Sequence, residues 1–543
     1  MSTTPEPNDA RARLVLWRPD LLYVGRRFRR GAALLSDADG RVRGVLSDGP
    51  PSSDEAGLPP GGGFTFDAAR GELRDASGVV ASVRVVRLAG RALLPGMVNA
   101  HSHAFQRVIR GRTEHRASVS DTFWTWREMM YAAAARLTPE DIYDASRMAF
   151  LEMAACGITS VGEFHYLHRT AAGDPYEDPN LLAKQVVRAA RDTGLRVALL
   201  RVAYTRSGFR QPPNARQSRF IEPDAETYLR HVERLRSDLA AADDTRARVD
   251  VDGGGAALKG AWVGVAPHSV RAVPLPLLRE LCAFAEERRL PVHMHVAEQR
   301  AEIEACLAEH GRTPVELLSR EGLLGARFTA VHAVHVTPDE AFALGRARAN
   351  VCACPTTERN LGDGIVPADL LLGHGVPLSL GTDSHTQIDL LEDARELEYH
   401  LRLQHQARNV LAPRDDDGAT AGGDDERPLG LRIPALAARL FDCATFGGAR
   451  SIGMIEEEED AFDEGRGMLA AGRAADFFTV DLNDLSIAGA SEDDLLPAVV
   501  FSLARTAVRD VAVGGRLILE DGRHADAAEI VARFNALQRK LWG

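Results

Sequence analysis

Two rhythms divide this chain. From about residue 92, short apolar runs alternate with longer stretches whose apolar residues recur at helical spacing, the pattern of repeated βα units. Eight such runs stand at 92–100, 158–164, 195–203, 261–267, 290–296, 328–334, 350–354 and 376–382. Segments 139–155, 180–193 and 274–289 carry intervening helical patterns. Eight units predict an α/β fold, a closed (β/α)8 TIM-like barrel. Ahead of it, residues 14–16 and 82–86 read as small antiparallel strands with loops, and 472–480 and 508–519 return to that pattern near the end. The two termini are therefore expected to build one small β-sandwich domain. The boundaries this implies are 1–91 and 451–543 for the sandwich and 92–450 for the barrel.

Composition changes this picture little. Hydrophobic residues at 45% and charged residues at 26% suit a globular protein with a sizeable core. The net charge of -12 argues against a general nucleic-acid or anionic-membrane surface, so no nucleic acid and no membrane partner is expected. An anionic substrate would need its own local arginines. Six scattered cysteines form no disulfide framework, which fits a reducing cytoplasm, and Cys352 and Cys354 read as buried thiols on a strand. The first residues lack a basic and apolar leader, and no apolar run reaches the ~18 residues of a membrane span. Segments 47–63, 414–427 and 456–460 and the triple glycine 253–255 read as loops or additions.

Candidate chemistry begins at Pro-Gly-Met-Val-Asn-Ala-His-Ser-His, residues 95–103. Side chains alternate along an extended segment, so His101 and His103 project to one side, as two ligands of one small cation must. Nitrogen ligands favour zinc or a neighbouring transition metal. In the strand count, His268, His295, His332 and Asp383 fall at the ends of strands four, five, six and eight. Barrel active sites lie at those ends, and independent structural roles would not predict the shared placement. Coordinated zinc lowers the pKa of water to about 7, so a nucleophile is available at neutral pH. Asp383 can bind the metal and accept the water proton, His332 can hold the nucleophile, and Glu298 is placed to carry a proton to a leaving nitrogen. His268 stands where a bridging lysine would be needed, so one metal is expected rather than two.

These motifs, with His293-Met294-His295-Val296-Ala297-Glu298, Val331-His332-Ala333 and Gly381-Thr382-Asp383-Ser384, resemble the amidohydrolase superfamily, in its one-metal branch that removes amino groups. The resemblance implies His101, His103, His295 and Asp383 as metal ligands, with Zn2+ first and Fe2+ as the alternative. The stretches 104–107, 121–128, 162–166, 267–271 and 354–364 are similar to the formimidoylglutamate deiminase family of histidine catabolism. That family hydrolyses N-formimidoyl-L-glutamate to N-formyl-L-glutamate and ammonia, with metal-activated hydroxide attacking the formimidoyl carbon. A small-molecule dicarboxylate calls for fixed cations, and Arg127 and Arg271 are the expected pair. The same resemblance implies Gln106, Tyr166 and His268 in the pocket, His268 also beside the reacting carbon. Trp124 and Trp126 read as packing, His293 as a core residue, and Asn360 and Asp363 as loop-shaping. A homodimer in the cytoplasm is expected. Rival readings are an aminohydrolase of a ring such as guanine or a triazine, and a catalytically silent barrel.

Overall fold

The computed structural model describes residues 14–47, 65–67, 72–74, 80–81, 83–115, 123–249, 258, 260–413, 435–455 and 467–543. The segments 48–63, 253–255, 414–427 and 456–460 and the Trp124 side chain lie outside these, so their expected loop and packing roles are left as sequence readings.

Eight parallel strands form the centre: β1 (Met97–Ser102), β2 (Ile158–His165), β3 (Arg196–Ala203), β4 (Ala261–Pro267), β5 (Val292–Val296), β6 (Phe328–His332), β7 (Asn350–Ala353) and β8 (Leu378–Leu380). Each pairs with the next in chain order. Their residues are almost all buried, because helices cover the outside while side chains fill the inside; hence continuous apolar runs rather than alternation. The expected helices are present as Pro139–Ala155, Leu181–Thr193 and Leu275–Glu287. The first begins at a capping box in which Thr138 and Asp141 satisfy each other's backbone N–H groups.

The ring closes where β1 meets β8. Asp383 N–H donates to His101 O at 3.0 Å and His103 N–H to Asp383 O at 3.1 Å, a parallel bridge centred on Ser102 and Asp383. Asn99 fastens the seam from the side: its amide donates to Thr382 Oγ1 at 2.7 Å, and its carbonyl accepts Thr382 N–H at 3.0 Å. Gly381 permits the approach, since a Cβ there would lie 2.8 Å from His101 Cβ.

Both termini build a second, eight-stranded sheet ordered Arg516–Leu519, Val508–Val513, Phe477–Asp481, Val83–Pro95, Leu14–Val24, Ala32–Asp37 and Val42–Ser47, with Arg27–Arg30 on Leu14–Val24. A three-stranded sheet (Thr65–Asp67, Glu72–Arg74, Val80–Ala81) buries Leu73 among Leu16, Ala33, Leu35 and Leu46 of the larger one. Three details differ from expectation. Val83–Pro95 runs parallel, not antiparallel, to Leu14–Val24, because the chain crosses over between them. The run at 92–100 is two strands: residues 92–95 pair with Phe477–Asp481 of the terminal sheet, and β1 starts only after Gly96, where a Cβ would strike Thr159 Oγ1 at 2.3 Å. Beyond the expected strands at 508–519, the segment assigned to the β-sandwich adds a helix, Ala527–Trp542. Its buried Ile530, Phe534, Leu537 and Leu541 recur at helical spacing. The helix is tied to Pro139–Ala155 through Arg533–Asp144 at 2.7 Å and Arg147–Glu529 at 2.6 Å. Among the described residues, no helix is long and apolar enough to cross a membrane.

Gly381→Ala should force the β1/β8 seam apart, costing about 1 to 3 kcal/mol of stability and lowering divalent-metal content. Denaturant melts with metal analysis check this; an unchanged midpoint and metal load would show that the seam has slack.

Candidate metal centre and substrate cavity

Three imidazoles and one carboxylate converge at the seam. His101 Nε2 lies 3.2 Å from His103 Nε2, 3.1 Å from His295 Nε2 and 3.4 Å from Asp383 Oδ1; His103 Nε2 is 3.1 Å from the same oxygen. Four-coordinate zinc with bonds of 2.0–2.1 Å separates neighbouring donor atoms by roughly 3.3 Å, so this group can hold one such ion. The tautomers agree. His103 Nδ1 faces the Phe164 carbonyl at 2.9 Å and His295 Nδ1 the His268 carbonyl at 3.2 Å; each must donate there, which leaves Nε2 as a lone pair. Burial pushes His101 down to about 3 and His295 well below the ordinary imidazole value, so both are neutral. Burial opposes ionisation of Asp383, but the imidazoles of His101 and His103 beside it outweigh that and hold the carboxyl well below the usual range.

A chain of buried hydrogen bonds fixes the strands that carry these groups. Asn99 donates to Thr382 Oγ1, leaving that hydroxyl to donate to His385 Nδ1 at 3.1 Å. His385 Nε2 then donates to Ser102 Oγ at 3.0 Å, and Ser102 donates to Glu163 Oε2 at 2.5 Å. Glu163 also accepts Ala104 N–H at 2.7 Å, and burial raises its carboxyl to about 7. His332 (φ 73°) and Asp383 (φ 43°) take left-handed backbone conformations that non-glycine residues adopt at a cost, as at many functional sites.

Glu298 and His332 stand beside the cluster. His332 Nε2 is 3.8 Å from both Glu298 Oε1 and Asp383 Oδ2, while its Nδ1 is 3.2 Å from buried Glu358 Oε1. Burial alone would lower His332, yet Glu298, Glu358 and Asp383 together hold it well above the normal imidazole value. Burial raises the Glu298 carboxyl, against the pull of His332. Glu298 N–H donates to Glu302 at 3.1 Å, and burial lifts Glu302 to about 7. Asp363 accepts from Gln299 and is pushed up to about 9 by burial and by Glu298.

A cavity of about 420 Å³ opens beside this group, lined by Arg127, Arg271, Glu298 and His295, and a pocket of about 60 Å³ continues from it towards His103, His332 and Asp383. Gln106, Tyr166 and His268 line the inner pocket, and Gln106 donates to Tyr166 Oη at 2.7 Å. Arg127, on the helix Phe123–Ala134, lies over the Tyr131 ring at 5.4 Å; Arg271 Nη1 donates to Tyr204 Oη at 3.4 Å. Trp126 lines the inner pocket. His293 bonds the Ser451 carbonyl at 2.9 Å, and Asn360 bonds Glu114 at 2.8 Å. Cys352 and Cys354 are buried free thiols.

Sequence reasoning gave no role to Glu163, Glu358, Glu302, Tyr131, Tyr204 or Gln217. For Glu163 the signal was a carboxylate inside the apolar run of β2; for Glu358 it was a place four residues beyond Cys354 at a helix start. Nothing local marked the others, which arrive from separate loops and helices.

A closed parallel barrel with histidines and an aspartate converging at its carboxyl-terminal mouth is the architecture of a metal-dependent hydrolase. Residues 92–518 match the Amidohydrolase family, and the chain belongs to that family. It is 39% identical over 459 residues to formimidoylglutamate deiminase of Pseudomonas aeruginosa, covering 83% of this chain and 91% of that protein. The crystal structure of an amidohydrolase from Brucella melitensis superposes with a TM-score of 0.77 at 30% identity, covering 98% of this chain and 100% of that one. An adenosine deaminase from Xanthomonas campestris, solved with bound zinc, shares the fold at 21% identity and a TM-score of 0.70, covering 97% of this chain and 98% of that one.

His295→Ala should lower bound divalent metal from about one ion per chain by 10-fold or more, because the remaining donors leave the coordination shell incomplete. Elemental analysis after dialysis reads this, and unchanged stoichiometry would remove His295 from the ligand set.

Proposed function

We propose that this protein hydrolyses N-formimidoyl-L-glutamate to N-formyl-L-glutamate and ammonia. The carrying observation is that Arg127 and Arg271 line one cavity together with Glu298 and His295, so two guanidinium groups face the space beside the metal-type cluster. The identity to the Pseudomonas aeruginosa deiminase supports the same substrate. In this reading His101, His103, His295 and Asp383 hold one divalent cation, Zn2+ before Fe2+. Bound there, it supplies the Lewis acidity that makes water nucleophilic at neutral pH.

The chain's own groups do the rest. Arg127 and Arg271 pair with the two carboxylates, and burial strengthens these charge-assisted bonds. Gln106 and Tyr166 wall the inner pocket and His268 faces the reacting carbon. His332 keeps a proton on Nε2 and directs it at the attacking water oxygen, while Asp383 accepts a proton from that water. Glu298 carries the proton to the amidine nitrogen. Its raised carboxyl favours this shuttle, because a group that titrates nearer neutrality both takes and returns a proton readily. The C–O bond forms, the C–N bond to the terminal nitrogen breaks, and ammonia leaves. Cytoplasmic residence and a homodimer belong to the same proposal.

Glu298→Gln should keep its metal and lose about 10²- to 10⁴-fold in kcat. Arg127→Met or Arg271→Met should raise KM by about 10- to 100-fold, the worth of a buried charge-assisted bond. Steady-state kinetics on metal-analysed protein measure all three. The primary assay is ammonia release from N-formimidoyl-L-glutamate against guanine; turnover of guanine alone would replace this proposal with a ring aminohydrolase.

A further inference from the structure

The two arginines that line the cavity come from different parts of the chain, one on a helix after β1 and one in the loop after β4. Each lies against a tyrosine, Arg127 over the Tyr131 ring at 5.4 Å and Arg271 on the Tyr204 hydroxyl at 3.4 Å. Between the tyrosines sits Gln217, only 2% exposed, at the end of the short 3-10 turn Ala215–Gln217. Its amide Nε2 donates to Tyr131 Oη at 2.8 Å and to Tyr204 Oη at 2.9 Å. A side-chain amide has two N–H donors, and here both are used, one on each phenol. The turn itself is pinned: Arg216 pairs with Glu128 of the Arg127 helix, and Arg219 donates to the carbonyls of Leu137 and Arg169, both at 2.9 Å.

We propose that Gln217 is a positioning residue that sets the spacing of Arg127 and Arg271 through Tyr131 and Tyr204, and so tunes the site to a ligand with two carboxylates. This rests on the reading of the two arginines as carboxylate clamps. Gln217 lines neither cavity and so acts through the phenols. A planar amide bonded twice is a stiff spacer, since moving either ring away breaks a buried hydrogen bond. Without it each tyrosine keeps its packing but loses its fixed distance from the other. A ligand gripped at one end would be little affected, and a ligand gripped at both ends would bind to a loosened pair.

The experiment compares N-formimidoyl-L-glutamate with N-formimidoyl-4-aminobutyrate, which lacks one carboxylate, in the metal-loaded full chain. For Gln217→Leu, KM for the dicarboxylate should rise 10- to 50-fold, KM for the monocarboxylate less than 3-fold, and kcat should change less than 3-fold. Tyr131→Phe/Tyr204→Phe, which preserves ring packing and serves if Gln217→Leu does not fold, should lose the same preference. Adding Gln217→Leu to that background should then cost nothing further, the mark of residues acting as one unit. An unchanged KM ratio in Gln217→Leu, or full additivity with the double phenylalanine variant, overturns the brace. A wild type that fails to distinguish the two substrates instead overturns the clamp reading on which the brace rests.

Discussion

The seam between the first and last barrel strands is the constraint on which the site depends. Closing the ring brings Asp383 into backbone register with Ser102, and so sets its carboxylate against the imidazoles of His101 and His103. The residues that make the seam possible are not the ones that would bind metal. Gly381 removes the Cβ that would separate the strands, and Asn99 ties Thr382 across them. A barrel closed one register differently would present the same four residues at distances no single ion could span.

Burial makes this cluster a chemical site. Burial holds the imidazoles of His101 and His295 neutral while Asp383 stays ionised, a negative charge among dry neighbours that favours a small divalent cation. The same burial acts in the opposite direction on the carboxylates around it. Glu163, Glu298, Glu302 and Asp363 all titrate higher than in water because an ionised carboxyl is costly there. His332 is the counterweight: three acids surround it and hold its proton. Proton donors and acceptors thus lie within one small volume around the cluster, and Arg127 and Arg271 line both that inner pocket and the larger cavity outside it.

Order in this region comes from hydrogen bonds with a definite direction. The run from Asn99 through Thr382, His385 and Ser102 to Glu163 joins β1, β2 and the end of β8, and each hydroxyl on it both accepts and donates. Such a chain has one consistent proton arrangement, so it holds backbone that would otherwise relax. The left-handed conformations of His332 and Asp383 persist in that setting. Farther out, the double bond from Gln217 does for the cavity what Asn99 does for the seam.

The linear sequence determined the barrel, the strand-end histidines, Asp383 and Glu298, because these depend on patterns that span a few residues: apolar runs of strand length, alternation along an extended chain, and a polar group where a run stops. Strand limits were legible to within a few residues, apart from 92–100, where two sheets share one apolar run. The parallel pairing of Leu14–Val24 with Val83–Pro95 was not legible, since pairing direction depends on the path between strands. The final helix drew no reading of its own, although Ile530, Phe534, Leu537 and Leu541 carried its period. Only the tertiary structure decided that Glu358 would stand behind His332, that Glu163 would end a hydrogen-bond chain, and that Gln217 would reach two tyrosines at once. Those contacts join residues 26, 61, 86 and 13 positions apart, and no local pattern encodes a distance that barrel closure alone creates.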